Sequence, residues 1–508
     1  MRFLQVRWSS WLWLLLIANA GCLLFFRCFI TLDGPIHVLH AAVLKDALGE
    51  RLLTAHGLRY TLSGIDIGLL DPIAMLLLNV LSAQAVEVAL GVIVLLMFSL
   101  GALAYVRAYG NDAPLLVMWV LPFAFSFLLL LGLFPFVFAM GLCMWLAAHW
   151  VKLPRLTWRA MLWSLGAMVL CLVTHRSAVL MLLLLTGVHE MMLAMVERDT
   201  FRKRWSFLPR QAARAMIVVM AIGGMLLSFY FLYYKPASEP AGDRSPFSDL
   251  LHLRSLLLFD GRAERPLLMA MAVLMLGSVI LAMHGIQNRS AVRTQRAPLI
   301  AALALLTASL LVRTQWAYLH YFAERAQLFG LLLLMLWCAV HVKITGSSVA
   351  LAFGILSLHT LRTVYIERRM AHYADEHRFG HEVLAHLKPN TIVAPAYCED
   401  DWLLQHQFAG LATEHKGIVL TKRDKVWFER DGAAAEALRH AIKGKPERWR
   451  WLLRCADDSL CPPMDYIVVL GYAGDSCVRA MPPLPEVLGK SYVKVFANAY
   501  ATLWERNN

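Results

Sequence analysis

The 508-residue chain is short of charge and lacks nucleotide-handling machinery. Only 16% of its residues are Asp, Glu, Lys or Arg, against 59% hydrophobic ones. Soluble globular proteins of this size are not so composed. It has no phosphate-cradling glycine loop, no HExxH helix, no nucleophile elbow and no dinucleotide fingerprint. Energy for any reaction must then come from an activated substrate or a gradient, not from ATP hydrolysed by this chain. Internal repeats are missing too, which argues against the two-fold architecture common in secondary transporters.

Acidic residues are scarce on one side of the predicted membrane. The loops there carry sixteen bases, among them Arg2, Arg7, Arg107, Lys152, Arg155, Arg159 and Lys343, opposed only by Asp112, Glu197 and Asp199. From Glu367 onward, 19 bases balance 19 acids, so the whole net charge of +13 lies before that residue. This placement excludes a nucleic-acid reading of the charge and marks a cytoplasmic face, where basic loops collect and meet anionic lipid heads.

About 20 mostly apolar residues make a span. The sequence predicts eleven: 11–30, 85–106, 114–131, 132–151, 160–174, 177–196, 215–234, 267–284, 297–312, 326–342 and 348–366. The expected class is a polytopic α-helical membrane protein, N-terminus in and C-terminus out. Its first span reads as an uncleaved anchor, because the apolar run continues past Ala18-Asn19-Ala20. The predicted domains are a transmembrane domain, 1–366, with external loops 31–84 and 235–265, and a C-terminal extracytoplasmic α/β or α+β domain, 367–508. Helices are predicted over 37–53, after Asp71–Pro72, over 247–259 and over 373–387. Short strands are predicted over 392–394, 418–420, 466–470 and 492–496, and further tail helices near 433–442 and 447–453. Four cysteines outside the spans, Cys398, Cys455, Cys461 and Cys477, all fall in the tail. An even number in an extracytoplasmic domain suggests disulfides, with Cys455–Cys461 close enough to close a small loop and unpaired buried thiols as the alternative.

Three segments could carry chemistry. Just outside the first span stands Thr31-Leu32-Asp33-Gly34-Pro35-Ile36-His37. A carboxylate at head-group depth can deprotonate a hydroxyl beside a membrane-bound donor. Asp33 before Gly34–Pro35 equally reads as a helix N-cap. His37 and His40 share a helix face, but no third metal ligand is evident. His175–Arg176 sits between two apolar runs, either as a snorkelling anchor or as a phosphate contact. Tyr318 to Arg325 opens a late span from outside. Arg325 could grip a phosphate in bidentate fashion, or Glu324 and Arg325 could form an interfacial pair. His320 is a secondary candidate, and Asp66, Asp71 and Asp260 are weaker acidic ones.

These features together resemble the GT-C superfamily of integral-membrane glycosyltransferases, which use polyprenyl-phosphate sugars and include protein O-mannosyltransferases and aminoarabinose transferases. The resemblance rests on the inward N-terminus, Leu32–Ala41 with its acid opening a long external loop, the Leu172-Val173-Thr174-His175 turn, the late-span arginine and the C-terminal α/β domain. Gly34 stands where a second acid often follows the first; Asp71 is the alternative second acid. The resemblance implies inverting transfer of a sugar from a lipid phosphate to an acceptor hydroxyl at the outer membrane face. Asp33 would be the base and His37 an orienting group. Arg325, Arg176 and His175 would hold the departing phosphate. It implies a lipid-linked donor, a glycan, lipid or protein acceptor, membrane lipids as partners, no nucleic acid and no required cofactor, with a divalent metal left open. The implied location is a bacterial inner membrane with a periplasmic tail. The rival readings are a transporter or flippase, which predicts charges deep in spans, and a non-catalytic assembly or sensor protein.

Overall fold

A computed structural model describes residues 2–49, 59–60, 68–110, 115–206, 245–287, 293–311, 315–316, 319–388, 391–397, 403, 408, 418–419, 428–429, 464–471 and 484–507. Six described helices are long and apolar enough to cross a membrane, and four shorter apolar ones accompany them. The chain is an integral membrane protein, mostly helical, with a small sheet. The predicted span 215–234, the tail helices near 433–442 and 447–453, Asp66 and the four tail cysteines lie outside the described residues.

The chain divides into two compact units. The first comprises Met1–Phe25 and Gly91–Ile366. It begins with α1 (Arg2–Gly21). The second comprises Phe26–Leu90 and Glu367–Asn508, so the segment that follows the first helix shares a unit with the tail. It holds α2 (Gly34–Gly49) and α3 (Leu70–Leu77). Strand β1 (Arg59–Tyr60) also lies there, paired antiparallel with a tail strand, Phe428–Glu429. Helix α4 (Ala83–Ala108) passes from this unit into the first.

In the first unit, residues 114–131 do not form one rod. A 3-10 turn (Leu115–Trp119) leads to α5 (Val120–Ala124), and α6 (Phe127–Leu130) follows a break. Ser126, in extended conformation, caps α6 by accepting from Leu129 N. Gly132 at φ 72° then turns the chain into α7 (Phe134–Lys152). Broken backbone in hydrocarbon must find partners inside the protein. Here the segment is buried, and Arg362, 2% exposed, donates to the carbonyl of Pro122 at 2.7 Å and to that of Leu256. In the sequence that arginine falls inside the apolar span predicted over 348–366. It is instead a peg that satisfies irregular backbone.

Helices α4 and α7 touch backbone to backbone. A Cβ on Gly101 would lie 2.0 Å from the Gly141 carbonyl oxygen, and one on Gly141 would lie 2.4 Å from the Met97 oxygen. Small residues permit such close crossings where no aqueous hydrophobic effect drives helices together. Helices α8 (Trp158–Thr174) and α9 (Arg176–Val196) form a tight hairpin through His175, and the short α10 (Arg198–Arg204) follows. Between the hairpin and the next span, 247–259 is not one surface helix. It contains α11 (Pro246–Leu251), a left-handed Leu253 at φ 47° and a 3-10 turn, Arg254–Leu256. Next come α12 (Arg265–Gln287), α13 (Ala297–Leu311), the hairpin of β2 (Gln315–Trp316) and β3 (Leu319–His320), and α14 (Phe322–His341). Almost every residue of α14 is buried, which places it inside the bundle.

The last long helix, α15 (Gly346–Leu384), runs 39 residues. The predicted span and the predicted tail helix are one element. In the second unit the tail forms a five-stranded sheet from β4 (Ile392–Tyr397), β5 (Ile418–Val419), β7 (Tyr466–Leu470), β8 (Tyr492–Ala497) and β9 (Ala501–Arg506), with β6 (Phe428–Glu429) being the strand that pairs with β1. The order is β5-β4-β7-β9-β8. Strands β5, β4 and β7 are parallel, and β9 and β8 are antiparallel to their neighbours. Every residue of β7 is buried, as a central strand requires. A short helix, α16 (Leu484–Ser491), precedes β8.

Candidate active site

The acidic turn lies in the second unit. Thr31 is fully buried, and its hydroxyl accepts from Gly34 N at 3.0 Å. The same hydroxyl donates to Glu87 Oε1 at 2.7 Å, and Thr31 N donates to that oxygen at 2.9 Å. Glu87, in the second turn of α4, thus clamps the turn that carries Asp33. Asp33 is 6% exposed, and its carbonyl accepts from His37 N, which starts α2.

Gly34 has a steric reason to be glycine. A Cβ there would sit 2.2 Å from Thr31 Oγ1 and 2.4 Å from Glu87 Oε1. No side chain, acidic or otherwise, fits after Asp33 while Glu87 occupies that space. The carboxylate beside the turn comes from α4, more than fifty residues along the chain.

The amphipathic pattern of 37–53 suggests a helix lying on the membrane surface, but the described side chains of α2 are mostly buried. His40, 3% exposed, places Nδ1 3.5 Å from Asp71 Oδ1 on α3. Asp71 also accepts from Gly68 N at 2.6 Å. The secondary acid is therefore tied to α2 through His40. His37 is partly exposed. Among the described residues no group of three or more His, Cys, Asp or Glu could hold a metal ion.

The cationic candidates lie in the first unit, and three separate segments converge there. His175 ends α8 and caps α9. Arg325 belongs to the first turn of α14, which starts from Tyr321 at φ 59°. Arg325 Nη1 lies 3.2 Å from His175 Nε2, and its guanidinium carbon lies 4.8 Å from the centre of the Phe136 ring on α7. Phe136 meets the His175 ring edge-on at 5.5 Å. His175 Nδ1 accepts from Ser177 N at 3.3 Å and lies 2.7 Å from Ser177 Oγ, so the helix cap fixes the ring that Arg325 meets. Arg325 is 8% exposed and Glu324 4%. Arg176 opens α9 and His320 lies in β3; their side chains lie outside the described residues. Asp260 caps a turn by accepting from Arg262 N at 2.8 Å.

The architecture defines a class first. The described residues give a bundle of apolar helices with a small tail sheet. A solved structure has a similar fold over its full length. The crystal structure of ArnT from Cupriavidus metallidurans in the apo state matches with a TM-score of 0.55, over 98% of this chain and 98% of that one, at 10% identity. No family model and no curated protein matches the chain.

Proposed function

We propose that this protein transfers a sugar from a polyprenyl-phosphate donor to an acceptor hydroxyl at the outer face of the membrane, with inversion at the anomeric carbon. The observation that carries the reading is Arg325, buried near a turn and oriented by His175 over Phe136. Arginine suits planar, bidentate capture of phosphate. Asp33 takes the proton of the acceptor hydroxyl. That oxygen attacks the anomeric carbon from the face opposite the phosphate, and the bond from carbon to phosphate oxygen breaks. Its electron pair leaves with the polyprenyl phosphate, whose charge Arg325 offsets. The proton on Asp33 then passes to water.

Glu87 acts as a positioning residue. Through Thr31 it fixes the turn on which Asp33 rides. His37, one turn into α2, orients the acceptor, and Arg176 assists at the phosphate. In this reading 1–366 is the catalytic membrane domain with its external loops. The segment 367–508 is a periplasmic domain that selects acceptors.

The transporter reading calls for charges available along a path. Among the described residues, Glu190, deep in its helix, is paired with Arg204, and Arg362 donates to backbone carbonyls. The test is transfer of labelled sugar from polyprenyl-phosphate donors in vesicles. Wild-type protein should release polyprenyl phosphate and form a glycoside, and Asp33→Asn should not. Unchanged turnover in that variant would remove Asp33 from the mechanism.

A further inference from the structure

At the far end of α9 from His175, helices α7, α8 and α9 enclose a cavity of about 290 Å³. Its walls include Leu146, Trp158, Trp163, Met168, Leu183 and Thr186. Trp158, Leu162 and Leu165 on α8 are exposed beside it, 71%, 53% and 56% respectively. A water-filled pocket would offer unmet polar groups, but this one does not. The Thr186 hydroxyl donates to Leu182 O at 2.8 Å, and the Ser164 hydroxyl to Ala160 O at 2.7 Å. Glu190, at the cavity's end, accepts from Trp150 Nε1 and Trp205 Nε1 at 2.8 Å each and pairs with Arg204 at 2.8 Å. What enters must therefore be hydrocarbon.

The chain between α7 and α8, next to these walls, is by contrast cationic. Lys152 follows Trp150 by two residues, Arg159 adjoins Trp158, and Arg155 lies three residues before it. All three are exposed. Asp199, the acid that follows on α10, is already paired with Arg202 at 3.8 Å. An apolar slot with bases at one end is the complement of an amphiphile with a long chain and an anionic head. Basic pockets between helices take such head groups.

We propose that this cavity binds an anionic phospholipid of the leaflet facing the basic loops. One acyl chain enters between Trp163 and Leu183, and the phosphate rests on Arg155, Arg159 and Lys152. The site is independent of the sugar-transfer reading.

The test is native mass spectrometry on the delipidated full chain, titrated separately with phosphatidylglycerol, phosphatidylethanolamine and polyprenyl phosphate. Wild type should retain phosphatidylglycerol in preference to phosphatidylethanolamine. The double variant Arg155→Gln/Arg159→Gln, altered only at exposed positions, should bind phosphatidylglycerol about tenfold more weakly. Thr186→Trp, which fills the slot, should abolish retention. Equal retention of both phospholipids, or unchanged phosphatidylglycerol binding in the double variant, would overturn the proposal. So would retention of polyprenyl phosphate alone, which would assign the slot to the donor's tail. Loss of polyprenyl phosphate binding in Arg325→Gln, with phosphatidylglycerol retention intact, would keep the two sites distinct.

Discussion

Helix α9 has a charged cluster at each end, and the two are built differently. At its last turns Arg204 meets Glu190 at 2.8 Å and donates to the carbonyls of Leu153 and Trp150. Two indoles occupy the same carboxylate. Burial pulls the Arg204 guanidinium below its usual value, and Glu190 pulls it back. That cluster is neutral and closed, and it pins α10 under the bundle. At the first turn Arg325 lies against the His175 imidazole and the Phe136 ring. A buried ion pair braced by indoles and carbonyls is a structural device. In the proposed reading the arginine held against His175 and Phe136 receives an anion.

The largest expected effect tests the reaction itself. Asp33→Asn should lower transfer about 10²- to 10⁴-fold, the usual span for removing a general base. The melting temperature should barely move.

The next largest separates the two ends of α9. Arg325→Gln should cost about 10²- to 10³-fold in transfer, with folding retained. Arg204→Met should do the reverse. It leaves Glu190 buried without its cation, a loss of roughly 3–5 kcal/mol of stability. The folded fraction should transfer sugar at the wild-type rate. A thermal melt and a rate measured on the same samples distinguish the two patterns. Equal behaviour of both variants would erase the contrast.

A smaller effect concerns the clamp. Glu87→Leu removes the acceptor of two Thr31 hydrogen bonds, and transfer should fall about tenfold. Glu87→Gln keeps an acceptor oxygen and should restore most of the rate. The readout is kcat against donor KM: a loosened turn lowers kcat and leaves KM alone. A fall in both variants alike would make the charge, not the clamp, the important property.

The smallest effect lies in the tail sheet. Lys388 Nζ sits 2.5 Å from Glu505 Oε1. The hydrogen bond from Lys388 holds the Glu505 carboxyl below its usual range, and Glu505 raises the Lys388 ammonium. A depressed carboxylate contributes stability that is present above its unfolded pKa and is lost as pH falls through the folded one. The pair is exposed, so screening keeps its contribution slight. Lys388→Gln should shift the acid limb of tail stability by a small amount and leave neutral pH untouched. Circular dichroism against pH would show it.

Much of this was legible in the sequence because lipid imposes length and apolarity on every crossing. The two runs that became α8 and α9 were readable from hydropathy and from the single polar step at His175–Arg176. Residues 114–131 were not, because apolarity alone cannot tell a rod from a broken rod. The signals were present in Pro122, Ser126 and Gly132, and tertiary partners such as Arg362 decided their use. Polarity changes between Ile366 and Tyr373, which suggested two elements. A helix responds to backbone compatibility rather than to polarity, and no glycine or proline interrupts α15 there. Strand β9 carries no alternating pattern that would mark it, since its first three residues are all buried. The turn before Gly34 is legible, but its cause is not, since Glu87 reaches it from α4, more than fifty residues along the chain. The meeting of His175 with Arg325 spans 150 residues and is a property of packing, not of any local pattern.

The most direct measurement uses polyprenyl phosphate, the product common to every donor of this class and so independent of which sugar is carried. Its binding should be saturable in the wild type, at least about tenfold weaker in Arg325→Gln, and unchanged in the folded fraction of Arg204→Met. Binding of equal strength by wild type and Arg325→Gln would contradict the assignment of that end of α9 to a lipid phosphate.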